Sequence, residues 1–345
     1  MSTQMIMGNQ AIALGALKAG VNLVAGYPGT PSSEIIEFIS KYNKKTGTYV
    51  EWSINEKAAV EVAAGASYAG SRTLVTMKQV GLNVASDPVM CLSYVGIKGG
   101  MVIVSADDPG PISSQTEQDT RTFGQYSKLP VFDPSTPQEA FEMIQEAFEL
   151  SEKYNTPVLL RPTTRVDHAY ESMEIPELEP CRTPGTFEKD STRWVIFPRA
   201  SFNNHKRIFE RNEKVLPQEF SKNRFNWVVS NIDSRVKPEN DSGNVSCTNN
   251  TVNGACDNDG KSDDLSSSGL TRRSTAYVAG GISYCYLKEA LGSQNASILK
   301  IGTPYPFPAQ LAADFLKNHS EITVFEELDP VIEQELIYLC GKENI

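Results

Sequence analysis

Apolar residues recur in short runs separated by polar stretches through the first half of the chain, at the spacing of strands alternating with helices. The runs at 21–27, 49–53, 74–77, 101–106 and 157–161 read as buried strands. Between them, 11–19, 56–68 and 137–154 read as helices, the last with Phe141, Ile144, Phe148 and Ser151 at helical spacing. After the strand at 21–27, Thr30 is placed to cap a helix, with Pro31 at its first position and Glu34 in its first turn. Ile35 and Phe38 give that helix an inward face. Such alternation predicts an α/β unit over 1–170, built on a mainly parallel sheet covered by helices on both faces.

The pattern changes beyond it. The Pro- and Glu-rich stretch 171–184 opens a linker and partly ordered connection over 171–233. Within it, 194–198 and 225–229 are expected to pack on a neighbour, with a polar helix between them. From 234 to 274 the chain is almost wholly Asp, Asn, Ser, Gly and Thr. So few apolar groups cannot offset the entropy of ordering, and a disordered insertion is predicted. Over 275–345 the alternation returns. Strands at 275–279, 298–301 and 322–325, each followed by a helix, predict a smaller second α/β domain.

Composition narrows the class. A chain of 345 residues with 40% hydrophobic and 21% charged residues has room for two sizeable cores. A formal charge of -10 argues against nucleic acid, which needs a basic face. Residues 1–17 carry no Lys or Arg for a signal peptide, and Gly15, Lys18, Gly20 and Asn22 interrupt the apolar stretch 11–24 too often for a membrane span. The cytoplasm is the expected compartment. None of the six cysteines forms a C-x-x-C pair, so neither a zinc site nor a ferredoxin-type cluster is encoded, and reduced, inert thiols are expected. Asp257-Asn258-Asp259-Gly260 lacks the spacing of a calcium loop, and the sequons at Asn240, Asn244 and Asn249 read as chance in an Asn/Ser tract. His168, His205 and His319 are too dispersed for a metal or a triad, so no metal site is assigned. Glu326-Glu327 reads as an acidic turn leading to a helix.

Candidate chemistry gathers at the strand ends. Tyr27-Pro28-Gly29-Thr30-Pro31-Ser32-Ser33-Glu34 is a strand end, a tight turn and a helix start. Asn55-Glu56-Lys57-Ala58-Ala59 places a carboxylate at the start of a small-residue helix, where the helix dipole alone accounts for an acid. Met77-Lys78-Gln79-Val80-Gly81-Leu82-Asn83 reads as a loop after a strand, with Gly81 allowing close backbone approach. Lys78 either offsets negative charge there or is an exposed cation. The polar density of 105–110 and 113–121 points to a site or a subunit contact.

Taken together, these segments resemble the pyrimidine-binding domain of the thiamine diphosphate-dependent 2-oxoacid:ferredoxin oxidoreductases, above all the α subunits of the indolepyruvate branch. Ala279-Gly280-Gly281, 304–308 and 324–330 resemble that family's smaller transketolase-C-terminal-like domain. The resemblance implies that Glu56 is the catalytic carboxylate beside the cofactor's aminopyrimidine. It implies that Thr30 lies against the oxoacid, and that Pro28, Gly29, Lys78, Gln79, Gly81 and Asn83 flank the cofactor. The family's arginine for the substrate carboxylate has no counterpart between Met77 and Met101, and Arg121 is the candidate substitute.

The family's Mg²⁺-diphosphate motif (Gly-Asp-Gly…Asn) and its iron–sulfur cysteine motifs are absent from this sequence. The expectation is half of a cofactor site, in a fragment of the full subunit or, second, in a naturally split subunit. The resemblance further implies a cytoplasmic hetero-oligomer. Its β subunit and ferredoxin would be partners, and coenzyme A and an aryl 2-oxoacid substrates. The rival readings are a non-catalytic assembly module and a subunit of another thiamine diphosphate-dependent 2-oxoacid oxidoreductase.

Overall fold

The computed structural model of the chain describes residues 3–183, 185–230 and 275–345. The insertion expected at 234–274 lies outside the described residues, with Cys247, Cys256, the three sequons and the acidic run at 257–260.

β1 (Thr3–Met7) leads into six strands of one sheet: β2 (Leu23–Gly26), β3 (Tyr49–Trp52), β4 (Thr73–Lys78), β5 (Met101–Ala106), β6 (Val131–Phe132) and β7 (Val158–Leu160). Their order is β3-β2-β4-β5-β7-β6, and every pairing is parallel. β4 and β5 are buried almost throughout because helices cover both faces, as continuous apolar runs require. On one face, Ile12, Ile35, Ile144 and Phe148 close over Leu74, Val102 and Val104. On the other, Ala59, Val60 and Ala63 of the helix Glu56–Tyr68, with Leu82 and Val89 of the helix Gln79–Val95, close over Val75, Met77 and Ile103.

Three expectations change. β1 pairs antiparallel with β8 (Tyr170–Glu174), so the first unit extends beyond residue 170. In the connection expected over 171–233, the expected helix is present, and the described residues beyond it join both units. Its helices Pro198–Glu210 and Leu216–Phe220 lead to Phe225, and Leu216, Phe220 and Phe225 enter the first core, the two phenylalanines meeting Phe132 edge-on. It then supplies β9 (Trp227–Ser230), the antiparallel edge strand of the second sheet. That sheet adds β10 (Thr275–Gly280), β11 (Ala296–Ile301) and β12 (Ile322–Phe325), in the order β12-β10-β11-β9. Finally, the loop predicted at 77–83 does not exist: β4 runs to Lys78 and the helix begins at Gln79. Among the described residues no helix is long and apolar enough to cross a membrane.

The two units share a polar, buried seam. The Val131 N–H donates to the Tyr305 carbonyl (2.7 Å) and the Asp133 N–H to the Gly302 carbonyl (2.8 Å). Fully buried Arg161 pairs with Asp107 (2.7 Å) and Asp133 (3.2 Å), and Asp133 itself packs against Gly281 of the second unit. Burial pushes both carboxyls up, Asp107 to about 6, and the Arg161 guanidinium works against that rise. Lys300, buried over the Trp227 ring at 4.4 Å, pairs with Glu139 across the seam. A buried charge stripped of its partner is far more costly than the pair was favourable. The Arg161→Met variant is therefore expected to lose about 3–5 kcal/mol of stability in urea unfolding. A loss below about 1 kcal/mol, the scale of a surface pair, would show that this seam does not hold the units together.

Candidate active site at the strand ends

β2 and β3 end at one level, Gly26 beside Trp52, while β4 passes Thr76 at that level and runs two residues further to Lys78. The segments that follow leave the carboxyl edge of the sheet together, where open α/β sheets bind ligands. After β2 comes a tight turn. The Ser32 and Ser33 N–H groups donate to the Gly29 carbonyl (2.9 and 3.2 Å), and the Gly29 N–H donates to Ser33 Oγ (2.8 Å). The Thr30–Pro31 peptide is cis. The helix Ser33–Ser40 starts later than expected, with Ser32 rather than Thr30 at its cap position. Thr30 stands exposed in the turn, and its carbonyl accepts a hydrogen bond from Ser113 Oγ (3.3 Å).

After β3, Asn55 caps the next helix, its side-chain oxygen accepting the Ala58 N–H at 2.8 Å, and Glu56 is the first helical residue. Its half-buried side chain crosses to the start of the helix after β4. A Cβ on Gly81 would lie 2.5 Å from Glu56 Oε1, 2.7 Å from its Cγ and 2.9 Å from its Cδ. With the carboxylate in this position, a side chain at Gly81 would force Glu56 to move aside. The carboxylate thus lies at the first turns of two helices, whose dipoles favour negative charge. On the other side, the Lys78 stem crosses Gly29, where a Cβ would sit 3.0 Å from Lys78 Cδ, and Nζ donates to the Ser113 carbonyl (3.2 Å). Tyr27, Trp52, Ile54 and Val84 leave apolar surface exposed along the same strand ends and helix starts, Ile54 to 87%.

So the structure seats Glu56 against Gly81 and Lys78 against Gly29, and ties Lys78 and Thr30 to the same loop residue, Ser113, all just beyond the carboxyl ends of β2, β3 and β4. It places the other expected residues elsewhere. Gln79 Nε2 donates to the Thr116 carbonyl (3.1 Å) and Asn83 Nδ2 to Gln118 Oε1 (3.0 Å), so both hold the loop after β5. Arg121 is corrected as a receptor for a substrate carboxylate. It is 1% exposed and already paired with Asp119 (2.6 Å) and Glu326 (2.8 Å), and it also donates to the carbonyls of Glu327 and Asp329. Glu326 in turn accepts the Ile332 and Glu333 N–H groups (2.9 and 3.1 Å), so the acidic turn caps the last helix.

Sequence reasoning left Asp107 and Asp108 without roles. Asp107 accepts the Thr120 N–H (3.0 Å) and hydroxyl (2.6 Å) besides pairing with Arg161. Asp108 accepts the Ile112 and Ser113 N–H groups (3.1 and 2.9 Å). Both fold the loop back over the mouth. An Asp-Asp-Pro-Gly run at a strand end signals a turn, but nothing local announces these partners.

The mouth fits the ring portion of a thiamine-type cofactor: a carboxylate seated on bare backbone, with a glycine turn and uncovered apolar surface at the same edge of the sheet. Among the described residues no group of three or more His, Cys, Asp or Glu side chains is placed to hold a metal ion. The fold and this mouth define the pyrimidine-binding class of thiamine-enzyme domains. Solved structures share the fold. The 2-oxoglutarate:ferredoxin oxidoreductase from Magnetococcus marinus superposes with a TM-score of 0.69 at 15% identity, over 99% of this chain and 60% of that one. A split-gene transketolase in an inactive beta4 tetramer superposes at 0.56 with 14% identity, over 99% and 87%.

Sequence comparison is more specific. The family described as "Pyruvate flavodoxin/ferredoxin oxidoreductase, thiamine diP-bdg" matches residues 14–216, and the chain belongs to that family. The indolepyruvate oxidoreductase subunit IorA of Pyrococcus horikoshii is 39% identical across 99% of this chain and 48% of its own length. The IorA subunit of Archaeoglobus fulgidus is 38% identical across 95% and 47%. The ketoisovalerate oxidoreductase subunit VorB of Methanothermobacter thermautotrophicus is 31% identical, but only across 51% of this chain. The chain spans about half the length of the curated relatives it matches along its whole extent.

The Glu56–Gly81 contact makes its own prediction. Gly81→Ala is expected to cost up to about 1 kcal/mol in chemical unfolding, because the displaced Glu56 side chain can swing aside but loses its seat. In a Glu56→Ala background the same change should cost nothing, since the colliding atoms are gone and alanine is the better helix former. Equal costs in both backgrounds would mean that the carboxylate does not rest on Gly81.

Proposed function

We propose that this chain supplies the aminopyrimidine half of a thiamine diphosphate site. The enzyme it serves would oxidatively decarboxylate aryl 2-oxoacids such as indolepyruvate, form the aryl-acetyl thioester of coenzyme A and pass the electrons to ferredoxin. The observation that carries this reading is the Glu56 carboxylate lodged on Gly81, where the helices after β3 and β4 begin. The indolepyruvate side chain rests on the relatives. Those matching over nearly the whole chain are named for indolepyruvate, whereas the ketoisovalerate subunit matches over about half of it.

When bound, thiamine diphosphate supplies a thiazolium carbon that becomes nucleophilic once its aminopyrimidine takes the imino form. Glu56 would share a proton with the ring nitrogen opposite the amino group, which favours that form. Its fixed position means no reorganisation is needed when charge shifts, and a second domain closing over Tyr27, Trp52, Ile54 and Val84 would dry the site and strengthen the hydrogen bond. Pro28 and Gly29 give the ring a surface without bulky side chains. Lys78, its stem fixed on Gly29, brings positive charge to the mouth. Thr30, exposed in the turn, is the candidate hydroxyl for the oxoacid.

The Mg²⁺–diphosphate ligands and the iron–sulfur clusters are assigned to another domain or polypeptide. The β subunit of the oxidoreductase and ferredoxin are the proposed partners, in a cytoplasmic hetero-oligomer. In the reconstituted complex, Glu56→Gln is expected to lower indolepyruvate-dependent ferredoxin reduction by about 10²-fold or more, the scale of a lost proton-transfer partner. Assembly, followed by size-exclusion chromatography, should be unchanged. Near-normal turnover would remove Glu56 from the chemistry and favour a purely structural role for the chain.

A further inference from the structure

Asp167 is a carboxyl group buried without a partner. It is 0% exposed, and neither of its side-chain oxygens meets a hydrogen-bond donor or a cation among the described residues. It ends the short helix Thr164–Asp167 and packs against the start of the helix Gly8–Lys18, where a Cβ on Gly8 would lie 3.0 Å from Asp167 Cα. The residue after Gly8 is Asn9, also 0% exposed, and it clamps the turn after β2. Its Nδ2 donates to the Pro31 carbonyl (2.6 Å) and to Glu34 Oε2 (3.1 Å). Both partners are acceptors, so the orientation of the amide is fixed, and Oδ1 is left as a second buried acceptor without a donor.

We propose that Asp167 is a positioning residue: it stays a neutral acid at neutral pH and donates to Asn9 Oδ1, so that the two side chains hold the Gly29–Glu34 turn as one unit. An ionised carboxylate in this place would be a buried charge with neither a cation nor a hydrogen bond, an arrangement that proteins avoid. One proton on Asp167 turns an acceptor into a donor and satisfies Asn9 at the same time. The charged groups that face it are both acids, Glu34 from the helix Ser33–Ser40 and Asp107 from the end of β5, the latter already paired with Arg161. Its neighbours in the chain turn elsewhere, Arg165 to Glu327 (2.6 Å) and His168 towards Glu34 (3.8 Å). Burial first, and then the charges of Glu34 and Asp107, push the Asp167 carboxyl well above its ordinary range. The part that the turn plays in the reaction rests on the function proposed above, whereas the acid–amide pair does not.

The test compares urea unfolding of the wild-type chain and Asp167→Asn from about pH 5 to about pH 7. The native state keeps the Asp167 proton, and the unfolded chain has lost it above about pH 4, so this group lowers wild-type stability as the pH rises. The asparagine variant carries no such proton, and other titrating groups are common to both proteins. The wild-type unfolding constant should therefore grow relative to that of the variant by about ten-fold per pH unit. A ratio that does not change with pH would overturn the proposal. The carboxyl carbon of wild-type Asp167 should keep the NMR shift of an acid over the same range, a reading that needs no variant, and the shift of a carboxylate would overturn it equally. Hydrogen exchange at the Ser32 and Ser33 amides reads the clamp. Asp167→Asn can still donate to Asn9 and should stay within about three-fold of the wild type, whereas Asp167→Val cannot and should exchange about ten-fold faster. Equal exchange in all three proteins, or as large an acceleration in Asp167→Asn as in Asp167→Val, would count against the pair. All three readings are made without cofactor or substrate, so they stand or fall apart from the proposed enzyme activity.

Discussion

A carboxylate resting on bare backbone sets the terms for this molecule. Glu56 occupies the space that a methyl group on Gly81 would fill. That contact joins the first turns of two helices, one after β3 and one after β4, whose strands both pair in parallel with β2. Small residues on the helix Glu56–Tyr68, among them Ala59 and Ala63, let it lie close against the sheet and the neighbouring helix. A shift of one residue in any of these elements would carry the carboxylate away from Gly81. The site therefore inherits its geometry from the sheet.

The loop after β5 is held by charge rather than by apolar packing. Asp107 and Asp108 bend it back, and Arg121 ties it to the acidic turn of the second unit. Lys300 joins the two units in the same way through Glu139, and Arg161 holds Asp133 where it packs against Gly281 of the second unit. Such buried pairs add little net stability over an apolar seam, but they tolerate few alternative arrangements. The result is a rigid rim with two unlike faces. On one, Glu56 and the Gly29 turn meet uncovered apolar surface. On the other, Gln79, Glu117 and Asp329 line an acidic cavity.

Much of this was legible in the sequence. The strand Met101–Ala106 and the helices Glu56–Tyr68 and Pro137–Tyr154 fall where periodicity puts them, because each carries a continuous apolar run or stripe into the core. The family resemblance rests on the turn and on Asn55-Glu56, both local features. What failed was also local in origin. Gly81 was read as a loop residue, yet glycine stands there to admit a neighbour's side chain and not to turn the chain. Thr30 looked like a cap, but hydrogen bonds around Gly29 delay the helix to Ser33. β1 and β9 are short strands whose partners lie far along the chain, so no periodicity announces them. Arg121 was the hardest to read, since its interdomain partners stand more than 200 residues away and no single-sequence pattern links them.

The central claim is that this chain holds the ring-binding half of a thiamine diphosphate site and depends on another domain for the rest. Calorimetric titration of thiamine diphosphate with Mg²⁺ tests it directly, first into the isolated chain and then into the chain mixed with a polypeptide carrying the diphosphate-binding domain. The account predicts no binding tighter than about 1 mM for the chain alone and saturable binding of about 10 μM or tighter in the mixture. Micromolar binding by the isolated chain, or no gain in the mixture, would contradict it.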